Sequence, residues 1–205
     1  MSEKIKYNDM LVFDSKEPIY LFKDWLELAA ETEPNNPNAF ALATVNSNGA
    51  PSVRMLLLKE VNSDGLVFYT NSNSRKGQEL AKNPYASMCF YWKTLARQVR
   101  FEGLVREIKS EIADQYFASR SRGSQIGAWA SDQSQELFEK NDLEEKVLFY
   151  EEKFTDVEVP RPKFWRGYRL KHEKVEFWAE KTFRLHDRYV YDRSGNTWKT
   201  KRLYP

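Results

Sequence analysis

The sequence predicts an α+β domain built on an antiparallel β-barrel. The first observation is a repeated pattern of an apolar run and a polar turn: AFALATV is followed by NSNG, PSVRMLLLKEV by NSDG, and LVFYT by NSNS. Apolar runs separated by Asn- and Gly-rich turns are typical of β-hairpins. The second observation is that at least seven strand-like and three helix-like segments show no regular βαβ alternation. This order favours antiparallel strands closed into a barrel, with helices at its flanks.

The elements of the first half follow from periodicity and chain breakers. A helix is expected over residues 17–32, where apolar residues recur at helical spacing and Pro18 suits the first turn. The three hairpin strands come next. RKGQELAKNP predicts a short helix that Pro84 stops. ASMCFYW and RQVRFEGLVREI predict two further strands, and the second alternates cleanly from Gln98 to Arg106.

The second half is predicted as helices followed by strands. SEIADQYFASR predicts a helix, SRGSQIGAWAS a Gly- and Ser-rich loop, and SQELFEKNDLEEKVLFYEEKF a longer charged helix. The aromatic runs FWRGYRL, VEFWAE, RLHDRYVYD and TWKTKRL predict the last strands, with RSGN as a tight turn. Residues 1–14 show no clear period. We expect residues 1–17 to form a flexible arm before a single domain over residues 18–205.

Length and composition limit the classes to which this protein can belong. The 205 residues suffice for one sizeable core, and 41% apolar with 15% aromatic residues indicates a folded chain. Lys and Arg total 32 against 30 for Asp and Glu, so no basic excess predicts a nucleic-acid partner. No apolar run reaches the length of a membrane span, and MSEKIKYNDM lacks the apolar core of a signal peptide. Cys89 is the one cysteine, so a reduced, cytoplasmic location is expected.

Several common motifs are missing from the sequence. There is no G-x-G-x-x-G after a strand and no Walker-type loop, so nucleotide-binding folds of those kinds are not indicated. No Cys/His cluster has zinc spacing, and no metal is expected. GSQIG lacks the nucleophile-elbow pattern, although residue types alone leave a Ser-His-Asp site open.

Two stretches could bind phosphate. In NSNSRKGQEL, Arg75 and Lys76 open a predicted helix after a polar loop, so backbone N–H groups and two cations would point to one place. In DQYFASRSRGSQ, Tyr116 and Arg120 are four residues apart on a predicted helix and Ser124 follows, which suits a second phosphate. The alternatives are a capped surface helix with solvated charges and a surface Tyr–Arg cation–π pair.

The stretch RLHDR near the C-terminus concentrates cationic side chains. If it is a strand, Arg184, His186 and Arg188 point to one face. Like charges side by side repel one another unless an anionic or electron-rich group covers them. The alternative is a surface strand on which Asp187 neutralises a neighbouring arginine. Together the clusters indicate a protein that binds one or more flat, phosphorylated molecules.

A set of motifs resembles a known family. RMLLLK, FYTNSNSRKG, FYW, RQVRFEG, YFASRSRGSQIGAWAS, EFW, RLHDR and a terminal RL-P occur in order from about residue 20 to the end of the chain. Their combination closely resembles the pyridoxine (pyridoxamine) 5′-phosphate oxidase family. The resemblance implies an FMN-binding split β-barrel with Greek-key-like antiparallel strands, and a homodimer with FMN at the subunit interface. It also implies oxidation of pyridoxine or pyridoxamine 5′-phosphate to pyridoxal 5′-phosphate, with molecular oxygen as acceptor and hydrogen peroxide as product.

The same resemblance implies roles for individual residues. Those expected to bind the substrate phosphate are Lys59, Tyr116, Arg120 and Ser124, while the catalytic pair Arg184 and His186 would meet the pyridine ring. Those expected to hold FMN are Arg54, Met55, Leu56, Leu57, Leu58, Lys59, Tyr69, Thr70, Arg75, Lys76, Gln98, Gln133, Ser134, Trp178 and Arg188, the last two from the partner chain. Two alternatives stay open: an FMN oxidase of another ring substrate, as in phenazine pathways, and a non-catalytic carrier of flavin or pyridoxal phosphate.

Overall fold

The computed structural model describes residues 17–139 and 141–205, so the predicted arm lies outside the described residues apart from Glu17. The helices in these ranges are α1 (Pro18–Thr32), α2 (Arg75–Lys82), α3 (Ser110–Ala118), α4 (Arg122–Ala130) and α5 (Asp142–Lys153), with a 3₁₀ turn at Thr182–Arg184. The strands are β1 (Ala39–Val45), β2 (Pro51–Leu57), β3 (Glu60–Asn62), β4 (Gly65–Asn71), β5 (Tyr85–Trp92), β6 (Arg97–Glu107), β7 (Trp165–Ala179), β8 (Asp187–Ser194) and β9 (Thr197–Arg202). No helix within the described ranges is both long and apolar enough to cross a membrane.

The described strands form one antiparallel sheet around a long central strand. Their order is β2-β1-β5-β6-β7-β4-β3, with β8 on β7 and β9 on β8. One edge of the 15-residue strand β7 pairs with β6 over residues 168–179. The other edge is shared: β4 lies opposite residues 165–170 and β8 opposite residues 174–179. The prediction of an α+β chain with antiparallel strands is confirmed, and the two ends of β7 have different neighbours.

The main core lies between α1 and one face of the sheet. In β1 and in most of β5 and β6 every second residue is buried, as the two-residue period of a strand requires. The ring of Phe22 in α1 lies 4.9 Å from Phe90 and 4.8 Å from Phe101. Trp25 meets Phe177 edge-on at 5.2 Å. Burial of such a side chain contributes about 1.5–3 kcal/mol, so these aromatic contacts attach α1 to the sheet.

A second, smaller apolar cluster attaches the later helices to the beginning of β7. Its buried members are Phe117, Ile126, Phe154, Val159 and Trp165. Phe117 of α3 meets Trp165 edge-on at 5.1 Å. Because α3 and α4 pack around Trp165, polar residues of these helices are carried to the end of β7 that pairs with β4.

Three segments differ from the sequence prediction. The predicted loop at residues 121–131 is helix α4, whose Ile126 and Ala130 are buried, so packing outweighs the low helix propensity of its glycines. The long helix predicted over residues 134–154 is restricted to α5. FWRGYRL and VEFWAE belong to the one strand β7, because pairing with β6 continues through a bulge between Glu102 and Gly103.

The prediction that RLHDR is a strand is wrong for its first three residues. Phe183 and Arg184 have φ values of 56° and 63°, whereas strands require strongly negative φ. The strand β8 begins at Asp187. Arg184 and His186 therefore reach their positions through a turn, and the alternation expected with Arg188 does not apply to them.

The bulge between β6 and β7 leads to a prediction about Gly103. A Cβ atom here would lie 2.0 Å from the backbone oxygen of Lys171. We expect Gly103→Ala to lower the free energy of unfolding by about 1–3 kcal/mol, because the two strands must move apart. Denaturant unfolding at a fixed protein concentration measures this change. The control is Gly123→Ala in α4, where a Cβ meets nothing within 4 Å; equal losses in both variants would contradict the steric explanation.

Candidate active site

A cavity of about 700 Å³ is lined by residues of β2 and β4, the helices α3 and α4, and the segments next to them. Its volume falls within the roughly 300–1,000 Å³ typical of small-molecule sites. Its wall contains ten residues that the sequence predicted as ligand contacts: Met55, Leu56, Leu57, Lys59, Tyr69, Thr70, Tyr116, Arg120, Ser124 and Gln133. The fold thus brings together residues that lie up to 78 positions apart in the chain.

One wall of the cavity is aromatic. The ring of Tyr69 on β4 lies 4.2 Å from Tyr116 of α3 and 4.9 Å from Trp165 of β7, with interplanar angles of 9° and 10°. The three rings come from three different elements and pack on the second apolar cluster. Burial raises the pKa of the Tyr69 hydroxyl. Nearly parallel rings of this kind suit the flat face of an aromatic ligand.

Arg120 presents an unused charged donor at this wall. Its guanidinium carbon lies 5.0 Å from the ring centre of Trp165 and 5.5 Å from that of Phe117. Burial lowers the pKa of Arg120, although a guanidinium remains charged at neutral pH. Its Nη1 atom is buried without a hydrogen-bond partner among the described residues. Because a buried, unpaired charged donor is costly, Arg120 fits an anionic ligand group.

Lys76 presents a second cation at the start of α2. Its Nζ atom donates to the hydroxyl of Ser74 at 3.1 Å and to the Oε1 atom of Gln133 at 2.9 Å. Thr70 donates to the same Gln133 oxygen at 3.3 Å. Burial, and then repulsion by Arg54, lowers the pKa of Lys76 to about 8. Both acceptors are neutral, so this buried ammonium also fits an anionic ligand group.

Arg54 is directed away from solvent into a polar cluster below α2. Its Nη1 atom donates to the Leu42 carbonyl at 3.2 Å and to the Thr44 hydroxyl at 2.5 Å. Its Nη2 atom donates to the Ser52 hydroxyl and, at 3.2 Å, to the carboxylate of Glu79. The terminal nitrogens of Arg54 are therefore engaged with protein oxygens, and Arg54 is not part of the cavity wall.

Arg75 joins the same cluster from the first turn of α2. Its Nε atom donates to Glu79 at 2.9 Å, while 60% of its side chain remains exposed. Burial alone would raise the pKa of Glu79, but hydrogen bonds from its hydroxyl and arginine neighbours hold that pKa at about 2. Glu79 is therefore ionised throughout the physiological range, and Arg75 extends from it toward solvent.

The remaining predicted contacts gather at the other end of β7. Gln98 lies opposite Trp178 across β6 and β7, and Trp178 lies opposite Arg188 across β7 and β8. The ring of His186 lies 4.6 Å from that of Trp178. Arg184 is exposed in the turn before β8. We call these five residues the distal group.

Within one chain, the distal group lies apart from the cavity. Trp165 in the cavity wall and Trp178 in the distal group lie at opposite ends of β7. None of the five residues of the distal group lines the cavity.

Two other predicted contacts are placed differently. Leu58 is 4% exposed and belongs to the main core, so its side chain is directed away from the cavity. Ser134 is exposed and has a left-handed φ of 71°. It directly follows Gln133, which lies in the cavity wall.

Comparison with known families decides how this site is interpreted. Residues 26–149 match the family model described as "Pyridoxamine 5'-phosphate oxidase". The chain belongs to the pyridoxamine 5′-phosphate oxidase family. Residues 165–205 match a second model, the "Pyridoxine 5'-phosphate oxidase C-terminal dimerisation region". Four members of the distal group, namely Trp178, Arg184, His186 and Arg188, fall within this dimerisation region.

Relatives of this family cover nearly the whole chain. A pyridoxine/pyridoxamine 5′-phosphate oxidase of Maricaulis maris is 52% identical over 196 residues, covering 95% of this chain and 88% of its own. One of Gluconobacter oxydans is 50% identical over 199 residues, covering 97% and 100%.

Solved structures share the fold of this chain. PhzG from Burkholderia lata 383, in complex with tetrahydrophenazine-1-carboxylic acid, is 35% identical with a TM-score of 0.89, covering 96% of both chains. A pyridoxamine 5′-phosphate oxidase-related, FMN binding protein from Nostoc punctiforme is 18% identical with a TM-score of 0.74, covering 93% of this chain and 100% of its own. The predicted split-barrel fold is confirmed.

Sequence reasoning did not select three residues that support the site. Trp165 lies within an aromatic run that reads as an ordinary strand, and nothing in its spacing indicates a cavity wall. Glu79 follows Arg75 by four residues, a helical spacing that predicts an ion pair. Glu176 carries no local signal, because its partners come from neighbouring strands of the sheet.

Glu176 leads to a prediction about stability and pH. Its carboxylate accepts from Arg188 Nε at 2.8 Å and Nη2 at 3.1 Å, and also from Arg100. Burial would raise the pKa of Glu176, but these arginines lower it. We expect Glu176→Gln to reduce the free energy of unfolding at pH 7 by about 1–3 kcal/mol, because charged hydrogen bonds are lost. Denaturant unfolding of both proteins measures the difference.

The sign of the pH dependence follows from the lowered pKa of Glu176. The stabilisation is complete above the unfolded pKa of about 4.3 and is lost as the pH falls through the native pKa. The difference between wild type and Glu176→Gln should therefore shrink in acid. The exposed Glu173 on the same strand is the control, and Glu173→Gln should change little. A difference that persists unchanged in acid would contradict the ion-pair explanation.

Proposed function

We propose that this family member oxidises pyridoxine 5′-phosphate or pyridoxamine 5′-phosphate to pyridoxal 5′-phosphate with FMN, using molecular oxygen and releasing hydrogen peroxide. One observation carries the proposal. The buried Lys76 and the half-buried Arg120 have no anionic hydrogen-bond partner in the described part of the chain, and both Arg120 and Gln133, the hydrogen-bond partner of Lys76, line the aromatic-walled cavity. Two flat, phosphorylated molecules would give each cation an anionic partner and would pack against the aromatic wall.

The residues around Lys76 fit the phosphate of FMN. Lys76, Arg75, Thr70 and Gln133 would form what we call the FMN phosphate grip, with Ser134 beside it. Lys76 and Gln133 are already hydrogen-bonded to each other, so the grip is largely preformed. The side chains of Met55, Leu56 and Leu57 would border the flavin as an apolar strip. Arg54 would support this strip from below rather than contact the cofactor.

The residues around Arg120 fit the phosphate of the substrate. Arg120 supplies a charged donor, and Lys59, Tyr116 and Ser124 share the same cavity wall. The hydroxyl of Ser124 already accepts a hydrogen bond from Ser121 at 2.8 Å, so its own proton is available for a ligand oxygen. Phosphate binding here would hold the pyridine ring beside the aromatic wall.

We further propose that the distal group of a partner chain completes each site. Three findings support this arrangement: the length of β7 separates the two groups, the dimerisation region contains most of the distal group, and β2 presents apolar side chains to solvent. Val53 and Met55 are 67% and 64% exposed. Because Met55 also lines the cavity, a partner packed on β2 would reach the cavity edge.

The chain's own residues orient the reactants and exclude water. Bound FMN would supply the redox chemistry, as the acceptor of a hydride from the substrate and the donor of electrons to oxygen. Arg184 and His186 of the partner chain would cover the substrate ring, and Trp178 and Arg188, with Gln98, would border the flavin. The backbone N–H of Lys181 donates to Nδ1 of His186 at 3.3 Å, so the neutral imidazole carries its proton on Nε2. Fixed positions of this kind can lower a reaction barrier substantially.

A phenazine-type substrate is the second candidate, because PhzG from Burkholderia lata 383 is a solved relative. The pyridoxine/pyridoxamine 5′-phosphate oxidases are closer, at 52% and 50% identity against 35%. Vitamin B6 phosphates are therefore the favoured substrates. A reduced, cytoplasmic location stays a prediction.

The function is tested by colour and turnover. Purified protein should be yellow and should consume oxygen with pyridoxine 5′-phosphate but not with unphosphorylated pyridoxine, because Arg120 requires an anion. Faster oxidation of a reduced phenazine carboxylic acid would favour the second candidate. Yellow protein that is inert with every substrate would indicate a carrier, and colourless protein that binds no added FMN would contradict the proposal altogether.

The shared site is tested with mixed dimers. Arg120→Ala should raise the KM for pyridoxine 5′-phosphate, and Arg184→Ala should lower kcat, so both homodimers are impaired at low substrate. Chains carrying one substitution each are co-expressed with different affinity tags and purified through both tags. Each mixed dimer then has one site with both substitutions and one with neither, and should show about half of wild-type activity. Activity no higher than the mean of the two impaired homodimers would contradict a shared site.

A further inference from the structure

We propose that Glu79 is a positioning residue for the FMN phosphate grip, acting through Arg54 and Arg75 without touching the cofactor. The inference rests on the proposed binding of the FMN phosphate by Arg75 and Lys76. Glu79 would fix the positions of Arg54 and Arg75 and would keep Lys76 protonated.

Glu79 is a buried hub that joins α2 to two strands. It is 4% exposed. Its Oε2 atom accepts from Thr44 of β1 at 2.5 Å, from Ser52 of β2 at 2.6 Å and from Arg54 of β2 at 3.2 Å. Its Oε1 atom accepts from Arg75 at 2.9 Å. Four donors from three elements therefore converge on one carboxylate, which fixes the first turn of α2 relative to the sheet.

The hub also balances charge around Lys76. Arg54 on β2 and Glu79 on α2 are the charged groups that act on this ammonium, while its hydrogen-bond partners Ser74 and Gln133 are neutral. Arg54 lowers the pKa of Lys76, and Glu79 raises it. With the pKa of Lys76 at about 8, the ammonium is mostly protonated at neutral pH. Without the negative charge of Glu79, Lys76 would lose its proton at lower pH.

Two effects of opposite sign must be weighed. A carboxylate near a phosphate repels it, so neutralising Glu79 could strengthen FMN binding. However, the charge of Glu79 is opposed locally by two guanidinium groups and two hydroxyl donors. Without the charge of Glu79, Arg75 and Arg54 would lose their ion-pair partner. The repulsion between Arg54 and Lys76 would then be unbalanced, and Lys76 would lose its proton at lower pH. Because three cations depend on one anion, we expect the loss of order and charge to dominate.

The test compares FMN with riboflavin, which lacks the phosphate. Glu79→Gln keeps the size of the side chain and removes its charge. Dissociation constants of both flavins are measured by flavin fluorescence on the full-length protein, stripped of flavin, from about pH 6 to about pH 9. We expect Glu79→Gln to weaken FMN binding about 10- to 100-fold, the range of lost charge-assisted hydrogen bonds, with riboflavin binding unchanged.

The pH profile gives a second readout. In wild type, FMN affinity should fall as the pH rises through the pKa of Lys76, and in Glu79→Gln this fall should begin at lower pH. Ser52→Ala removes one donor to the hub and keeps the charge, so it should show the same selective loss to a smaller degree. Glu27→Gln on α1 removes an exposed carboxylate and serves as the matched control.

The outcomes separate this inference from the proposed function. Equal losses of FMN and riboflavin affinity in both Glu79→Gln and Ser52→Ala would indicate a general structural role and overturn the inference. Unchanged or tighter FMN binding by Glu79→Gln would also overturn it, because repulsion would then dominate. Wild-type protein that binds neither flavin would instead overturn the proposed function.

Discussion

The continuity of β7 is the constraint on which the rest of the structure depends. Its one edge is held by β6 through the bulge at Gly103, and its other edge is divided between β4 and β8. The division places Tyr69 and Trp165 at one end and Trp178 and Arg188 at the other. These two groups of residues therefore lie apart within one chain, and in the proposed dimer the second chain supplies the group that each site lacks.

Buried carboxylates organise the cations at both ends of this strand. Glu79 holds Arg54 and Arg75 near the cavity, and Glu176 holds Arg100 and the distal-group residue Arg188. In each case an acid with a lowered pKa fixes guanidinium groups that would otherwise be mobile and mutually repulsive. Lys76 and Arg120 differ from these arginines, because their buried donors face neutral oxygens or no described partner. Lys76 and Arg120 therefore keep donors that the proposed phosphates could use.

Local sequence patterns predicted most helices and strands but few of the contacts between them. Turn residues such as those of NSNG and NSDG marked the hairpins, and alternation in β6 marked a strand with one buried face. The contact of Lys76 with Gln133 spans 57 positions, and no spacing rule predicts it. The pattern of NSNSRKGQEL indicated Lys76 as a phosphate-binding cation, whereas Gln133 came only from the resemblance to a known family. The helix α4 was missed because Ile126 is held by tertiary packing. Arg184 was misplaced because a left-handed turn has no clear sequence signal without glycine.

The strand β2 lies at one end of the sheet order and carries outward-facing apolar side chains. Unprotected strand edges of this kind are templates for aggregation. In the proposed assembly the partner would cover the same residues. Dissociation of the dimer would therefore open the cavities to solvent and, at the same time, expose an aggregation-prone strand. The working lifetime of such an enzyme at high dilution is then governed by subunit association, and not by the folding stability of one chain alone.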